Sequence, residues 1–271
     1  ATLKLDPEMV DDLAAITREA LSNAARHAHA STVTVTVEVT DDLLRIEVMD
    51  DGVGIPESMH RRIFEARVTS KVRDVVQDTF GVHGRGMALF SIKQVADDMR
   101  LVRSQEGRGT IMQARIDTAG LPEKKDQSSF PRLEADEDGT PQIAGGPRNV
   151  PRVLSEFALE SQGLQVFMGS NAEILATLFH HSVEMRKSWS AGEEGMRRPF
   201  WFELGNIREG RMLHGFASQE LGLNVSERNA FRVLELEIDP LMSIGELLGE
   251  VDAVLPAKRA DLHRKSHADW S

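Results

Sequence analysis

Residues 19–28 read EALSNAARHA and lie inside a longer apolar periodicity, Met9, Leu13, Ile16, Ala20 and Ala24, with spacings of four, three, four and three. That spacing predicts an amphipathic helix over residues 8–28. It sets Glu19 and Asn23 one turn apart, with Arg26 and His27 one turn further on. A carboxylate, a carboxamide, a guanidinium and an imidazole then share one stretch of helix surface, which the solvated side of any surface helix would also allow. Three glycine-rich turns that follow in order, DDGVG at 50–54, GVHGRG at 81–86 and EGRGT at 106–110, shift the weight towards a site.

After the helix, Val33, Val35 and Val37 alternate with Thr32, Thr34, Thr36 and Glu38, the pattern of a half-buried strand closed by a turn at Thr40–Asp42. Leu44, Ile46 and Val48 alternate with Arg45 and Glu47 as its antiparallel partner, which delivers Asp50 and Asp51 to a loop. Gly52 and Gly54 let that loop turn tightly and approach a planar ligand. Asp51 can accept a hydrogen bond from an exocyclic amine such as that of adenine. A plain turn after a strand explains the same letters.

Residues 57–64 read as a short helix, followed by a segment able to close over a ligand, with Lys71 as a phosphate contact or a surface charge. Gly81, Gly84 and Gly86 lead into a helix through Met87, Ala88, Leu89, Ile92, Val95, Ala96 and Met99, whose first N–H groups can hold phosphate oxygens beside His83 and Arg85. Residues 99–103 and 110–116 read as a hairpin across Gly107–Gly109. Strand pairs that succeed one another without crossover helices predict a two-layer α+β sandwich over residues 1–118, helices over a mainly antiparallel mixed sheet. The GxxxxGK[ST] pattern of a P-loop is absent.

Residues 119–152 carry five prolines, Pro122, Pro131, Pro141, Pro147 and Pro151, among polar runs, and read as a linker. From 153 to 271 the chain is apolar again and reads as a smaller α+β domain, with helices over 172–186 and 243–255 and a strand over 231–238. His180 and His181 are adjacent on a helix and face different ways, which argues against a shared metal. Trp189, Phe200, Trp201 and Phe202 suit either a partner surface or a second core.

The 271 residues carry a net charge of −11 and no cysteine. The charge opposes nucleic-acid and anionic membrane surfaces, and the cysteine count excludes disulfides and thiolate chemistry. With no apolar run of eighteen residues and no signal-peptide pattern, the expectation is a cytoplasmic protein without membrane insertion. A helix that starts so close to Ala1 suggests a fragment or a processed form.

In this order the motifs resemble the ATP-binding domains shared by histidine kinases, DNA gyrase, the Hsp90 chaperone and MutL, the GHKL or Bergerat-fold ATPases. EALSNAARHAHAS is similar to the family's first box in its histidine-kinase form, DDGVG to the second, and GVHGRGMALF to the glycine-rich lid with its helix start. The lid segment as a whole looks nearer to the topoisomerase and MutL branches. The resemblance implies ATP and Mg2+ as ligands. It implies that Glu19 polarises the attacking group, Asn23 coordinates magnesium, and Arg26 and His27 lie towards the phosphates. It further implies that Asp51 binds adenine, with Thr110 near the adenine edge, and that Gly81, His83, Gly84, Arg85, Gly86 and Met87 belong to the glycine-rich lid and helix start. The expected function is a magnesium-dependent ATPase or phosphotransferase whose nucleotide state controls the C-terminal domain, with a protein partner or a second copy bound through the lid or that domain. Alternatives are a catalytically weak nucleotide-gated interaction module, the catalytic part of a histidine kinase, and a DNA-associated ATPase.

Overall fold

A computed structural model of the chain describes residues 4–5, 7–40, 43–64, 76–78, 81–83, 96–117, 125–126, 129–135, 141–161, 163–190 and 197–249. Its strands are β1 (Lys4–Leu5), β2 (Thr32–Val39), β3 (Leu43–Asp50), β4 (Val76–Asp78), β5 (Gly81–His83), β6 (Asp98–Gln105), β7 (Gly109–Asp117), β8 (Lys125–Asp126), β9 (Arg132–Ala135), β10 (Pro141–Gly145) and β11 (Gln165–Gly169). The helices are α1 (Pro7–Arg26), α2 (Val150–Glu160), α3 (Asn171–Ser190), α4 (Gly210–Glu220) and α5 (Glu227–Leu234), with a 3-10 segment at Phe200–Asn206 and helical residues at 244–249. The central sheet has the order β11-β2-β3-β7-β6 and is antiparallel except where β11 runs parallel to β2.

Period-two alternation sorts that sheet into two buried faces. Val33, Val35, Leu44, Ile46, Val48, Met112, Ala114 and Ile116 meet Leu13, Ile16, Ala20, Leu21 and Ala24 of α1 and Val150, Val153 and Leu154 of α2. Met49, Ile111 and Phe167 point the other way, onto Ile174, Leu175 and Leu178 of α3 and onto Phe200, Trp201 and Leu204. Helices thus lie over a mainly antiparallel sheet, as the alternation implies, and the C-terminal helices close its second face. The Arg103–Glu220 ion pair ties β6 to α4 at the rim.

Several local expectations change. The stretch 231–238 is not a strand: α5 starts at Ser226, whose hydroxyl accepts the Asn229 N–H at 3.2 Å, and it buries Ala230 and Val233 at helical spacing while Phe231 is exposed. Residues 165–169, expected in a separate domain, form the β11 edge of the main sheet because Val166 and Phe167 each have a covered face to fill. Within 119–152 the described residues include β8 and the β9–β10 hairpin, and Asn149 caps α2 by accepting the Arg152 N–H at 3.0 Å. Residues 57–64 form a single 3-10 turn at Glu57–Met59 followed by turns. Met99 belongs to β6, so the helix expected after Gly86 does not reach it. Phe200, Trp201 and Phe202 are buried, which settles them as core.

Two carboxylates hold the sheet's interior together in different ways. Asp51, just past the end of β3, accepts N–H bonds from Ser31 at 2.7 Å and Thr32 at 2.9 Å on one oxygen, and its own N–H donates to the Thr32 carbonyl at 3.2 Å. Glu47 is buried towards the C-terminal helices, under Gly222. Its Oε2 accepts Gln113 Nε2–H at 2.9 Å, and Gln113 Oε1 in turn accepts from Arg100 at 2.6 and 3.0 Å, while Glu47 Oε1 has no partner. Burial, only partly offset by the Gln113 bond, pushes the Glu47 carboxyl up to about 7.

Each carboxylate makes a measurable prediction. Asp51→Asn keeps an acceptor oxygen but loses the charge that strengthens both bonds, and a loss of about 1–2 kcal/mol in urea unfolding at pH 7 is expected. For Glu47, raised from an ordinary 4.5 to about 7, the folded chain keeps a proton that the unfolded chain has lost. Its stabilising contribution is full below the unfolded value and disappears as pH rises through the folded one. Glu47→Gln is neutral at every pH and should therefore remove about 1–3 kcal/mol of the fall in stability between pH 5 and 8. An unchanged slope would show that this carboxyl does not control it.

Candidate functional site

The alternation that sends Leu44, Ile46 and Val48 towards α1 sends Asp50 the same way and Asp51 the other. Asp50 pairs in register with Thr110 of β7 and Val33 of β2, so its carboxyl and the Thr110 hydroxyl stand side by side at one end of the α1-covered face. Gly52 N–H donates to Asp50 Oδ1 at 2.8 Å. Thr110 Oγ1 lies 3.1 Å from Ser104 Oγ, which accepts the Ile55 N–H at 2.7 Å and so joins this corner to the loop after β3. Burial pushes the Asp50 carboxyl up to about 7; the adjacent Asp51 charge adds to the rise, and the Gly52 N–H, a Thr110 hydrogen bond and the Arg197 guanidinium oppose it. The result is a shielded acceptor that changes charge near neutral pH.

The glycines of this corner are required by the chain's own close packing. A Cβ on Gly52 would stand 2.4 Å from Ala28 Cβ; one on Gly54, at φ +76°, would stand 2.2 Å from the Gln105 carbonyl oxygen. These contacts lock the end of α1 and the β6–β7 turn onto the loop, and Val53 N–H donates to Ala28 O at 2.8 Å while Gly107 N–H donates to Val53 O at 2.8 Å. From sequence alone, Gly52 and Gly54 are expected to admit a ligand. Interlocking of three chain segments already demands them.

On α1, Glu19 and Asn23 are half-buried and Arg26 and His27 exposed. The helix ends as His27 and Ala28 N–H both donate to Asn23 O at 3.0 Å, and His29 takes a left-handed φ of +49°. Gly81 and His83 lie in β5, paired with Asp78 and Val76 of β4. Lys71, Gly84, Arg85, Gly86 and Met87 lie outside the described residues.

Among the described candidates, Gly52, Gly54 and Thr110 meet around the end of α1. Asp51 does not join them, because its carboxylate is turned to the Ser31 and Thr32 amides. The group that does join them, Asp50, was missed, although the apolar run at 44, 46 and 48 already assigns position 50 to the covered face. Arg197 was missed as well: its guanidinium donates to Ala28 O at 3.3 Å and His29 O at 2.6 Å. No local pattern marks a partner so far along the chain.

A family model, described as histidine kinase-, DNA gyrase B- and HSP90-like ATPase, matches residues 9–120. The sensor histidine kinase AruS of Pseudomonas aeruginosa is 35% identical over 130 residues, 43% of this chain and 13% of AruS. The nitrate/nitrite sensor protein NarX of Escherichia coli is 50% identical over 46 residues, 17% of this chain and 8% of NarX. The DNA mismatch repair protein MutL of Parabacteroides distasonis is 34% identical over 116 residues, 42% of this chain and 18% of MutL. The matches thus span less than a fifth of each of these relatives. Residues 9–120 thus match the GHKL type of ATP-binding domain and are similar to proteins of both its histidine-kinase and MutL branches.

Proposed function

We propose that the corner at the end of α1 binds the base of ATP, and that the chain is a magnesium-dependent ATPase or phosphotransferase whose nucleotide state is felt by its C-terminal helices. The observation that carries this reading is the shielded Asp50 carboxyl beside Thr110 on the α1-covered face. An ionised carboxylate there accepts a hydrogen bond from the exocyclic amine of adenine, whereas guanine presents a carbonyl at the equivalent position and sets acceptor against acceptor. In this reading Asp50 takes the role first given to Asp51, whose carboxylate is occupied by two backbone amides.

Along α1 from that corner, Asn23 and then Glu19 follow at helical spacing. Asn23 supplies a neutral oxygen suited to Mg2+, which accepts oxygen ligands and neutralises phosphate charge. Glu19 supplies a carboxylate able to take a proton from an attacking hydroxyl or water. Arg26 and His27 sit where the helix surface opens to solvent, in reach of a polyphosphate. The segment from Lys71 to Met87 serves as the cover, the nucleotide unit spans residues 1–118, and a cytoplasmic setting supplies both ATP and magnesium. A second reading, a nucleotide-gated interaction module with little turnover, gains support from the C-terminal helices packed on the reverse face of the same sheet. In either case the C-terminal helices or the cover would receive the protein partner or second copy.

Calorimetric titration with ATP and GTP tests the base contact. Asp50→Asn is expected to weaken ATP by about 5- to 150-fold, from a bond worth about 1–3 kcal/mol, and to erase the preference over GTP. Equal affinity of the unmodified chain for both nucleotides would sink the contact. Glu19→Gln separates the two functional readings: ATP affinity should stay within about threefold while phosphate release falls by about 100-fold or more if Glu19 is the base. Loss of both together would make Glu19 a binding or structural residue.

A further inference from the structure

Residues 197–200 form a strap between the two walls of the Asp50 corner. At one end Arg197 donates to Ala28 O at 3.3 Å and to His29 O at 2.6 Å. At the other, Phe200 N–H donates to Arg108 O at 3.1 Å, and the Arg103 and Arg108 guanidiniums lie over the Phe200 ring at 4.5 and 5.3 Å. The first wall is the end of α1, and the second is the turn that leads into Thr110. The strap lies outside residues 9–120, so it belongs to the part of the chain that the family model does not match.

We propose that Arg197 is a positioning residue of the nucleotide site, holding the end of α1 against the Asp50 loop and supplying the positive charge that keeps Asp50 an acceptor for the base. The inference rests on the nucleotide reading given above. Its geometry is independent of that reading: Ala28 O, which Arg197 grips, lies 2.6 Å from where a Cβ on Gly52 would sit, and Asp50 Oδ1 lies 2.8 Å from the same point. The guanidinium therefore acts on the carboxyl through one shared peptide corner. Its planar fork suits two adjacent carbonyls, and its charge suits the negative end of α1.

The charged surroundings of Asp50 fix the sign of the effect. Burial raises its titration, and the neighbouring Asp51 carboxylate adds to the rise. The Gly52 N–H, the Thr110 hydrogen bond and the Arg197 charge favour the ionised form. The helix packed over this face brings Glu19, Arg26 and His27, and the turn after it brings His29. The Arg197 charge acts on Asp50 itself and favours its ionised form. Removing it moves the Asp50 titration upward, and with a midpoint already near 7 the ionised fraction at neutral pH falls. ATP affinity, which needs the acceptor, then rises with pH along a curve displaced to higher pH.

The test compares the unmodified full chain with Arg197→Gln and Arg197→Lys, each checked for folding by circular dichroism. ATP binding is measured by calorimetry from pH 6 to 9, and the Asp50 carboxyl is titrated by carbon-13 NMR without nucleotide. Arg197→Gln should bind ATP about fivefold more weakly at pH 7, with the gap narrowing to about twofold or less at pH 9, and its Asp50 titration should move upward. Arg197→Lys, which keeps the charge and loses the fork, should retain the pH profile of the unmodified chain. The same loss at every pH, an unmoved Asp50 titration, or unchanged affinity in folded Arg197→Gln each overturns the proposal. Absence of any ATP binding by the unmodified chain overturns the nucleotide reading instead, and the NMR titration, which needs no nucleotide, tells the two failures apart.

Discussion

The grip of Asp51 on the amides of Ser31 and Thr32 sets the geometry on which the rest of the site depends. One carboxylate oxygen ties the residue just past β3 to Ser31 and to Thr32 at the start of β2, which braces those strands at the end where no turn connects them. With Asp51 committed to that side, strand alternation leaves Asp50 on the other, facing the helix layer. The same junction brings Gly52 against Ala28, and Ser31 O accepts the Gln165 N–H at 2.9 Å, which starts β11 alongside β2. The end of α1, the two central strands and the late edge strand therefore share one corner, and the acceptor of the proposed site is held by backbone already engaged.

Burial of the sheet on both faces has an electrostatic consequence. An antiparallel sheet of this kind often leaves one face to water, and polar residues along that face then cost nothing. Here Thr34, Thr36, Glu47 and Gln113 lie on the second face and are nonetheless buried, because Phe167 and the C-terminal helices close over them. The Arg100–Gln113–Glu47 chain pairs Gln113 and one oxygen of Glu47, and the orphan Glu47 oxygen marks where it falls short. Glu47 and Asp50 thus stand three residues apart on opposite faces of one strand, each held in the neutral range by shielding. Charge changes on the site face and on the helix-docking face of β3 accordingly fall in the same pH interval.

The helix α1 and the strands β2, β3, β6 and β7 were legible because each carries its own periodicity, and local alternation needs no knowledge of what covers it. The parallel pairing of β11 was not legible: two apolar residues in a five-residue strand give no register, and its partner lies more than 120 residues earlier. At 231–238 the alternation of large and charged side chains imitated a strand, while the decisive facts, the Ser226 cap and the burial of Ala230 and Val233, are helical and tertiary. At the site, the order of motifs located the right corner, but the choice between Asp50 and Asp51 turned on which carboxylate the backbone had already engaged. A letter string contains the alternation that separates them; it does not contain the two amides at 31 and 32.

The part of the chain outside the family match bears on the site through a short list of contacts, and their character limits what the C-terminal helices can do to it. Arg197 touches backbone carbonyls of Ala28 and His29, and Phe200 bonds the backbone of Arg108. The Arg197 bonds to main chain fix position, while the Arg103 and Arg108 guanidiniums also lie over the Phe200 ring. The strap therefore constrains the shape and charge of the base corner without replacing any group within it. A partner that displaced the C-terminal helices would remove the strap's hold on the end of α1 and on the turn before Thr110 together, since the same four residues span both. Nucleotide bound in that corner would in turn favour the docked arrangement by the same free energy, because coupling between two binding events is reciprocal.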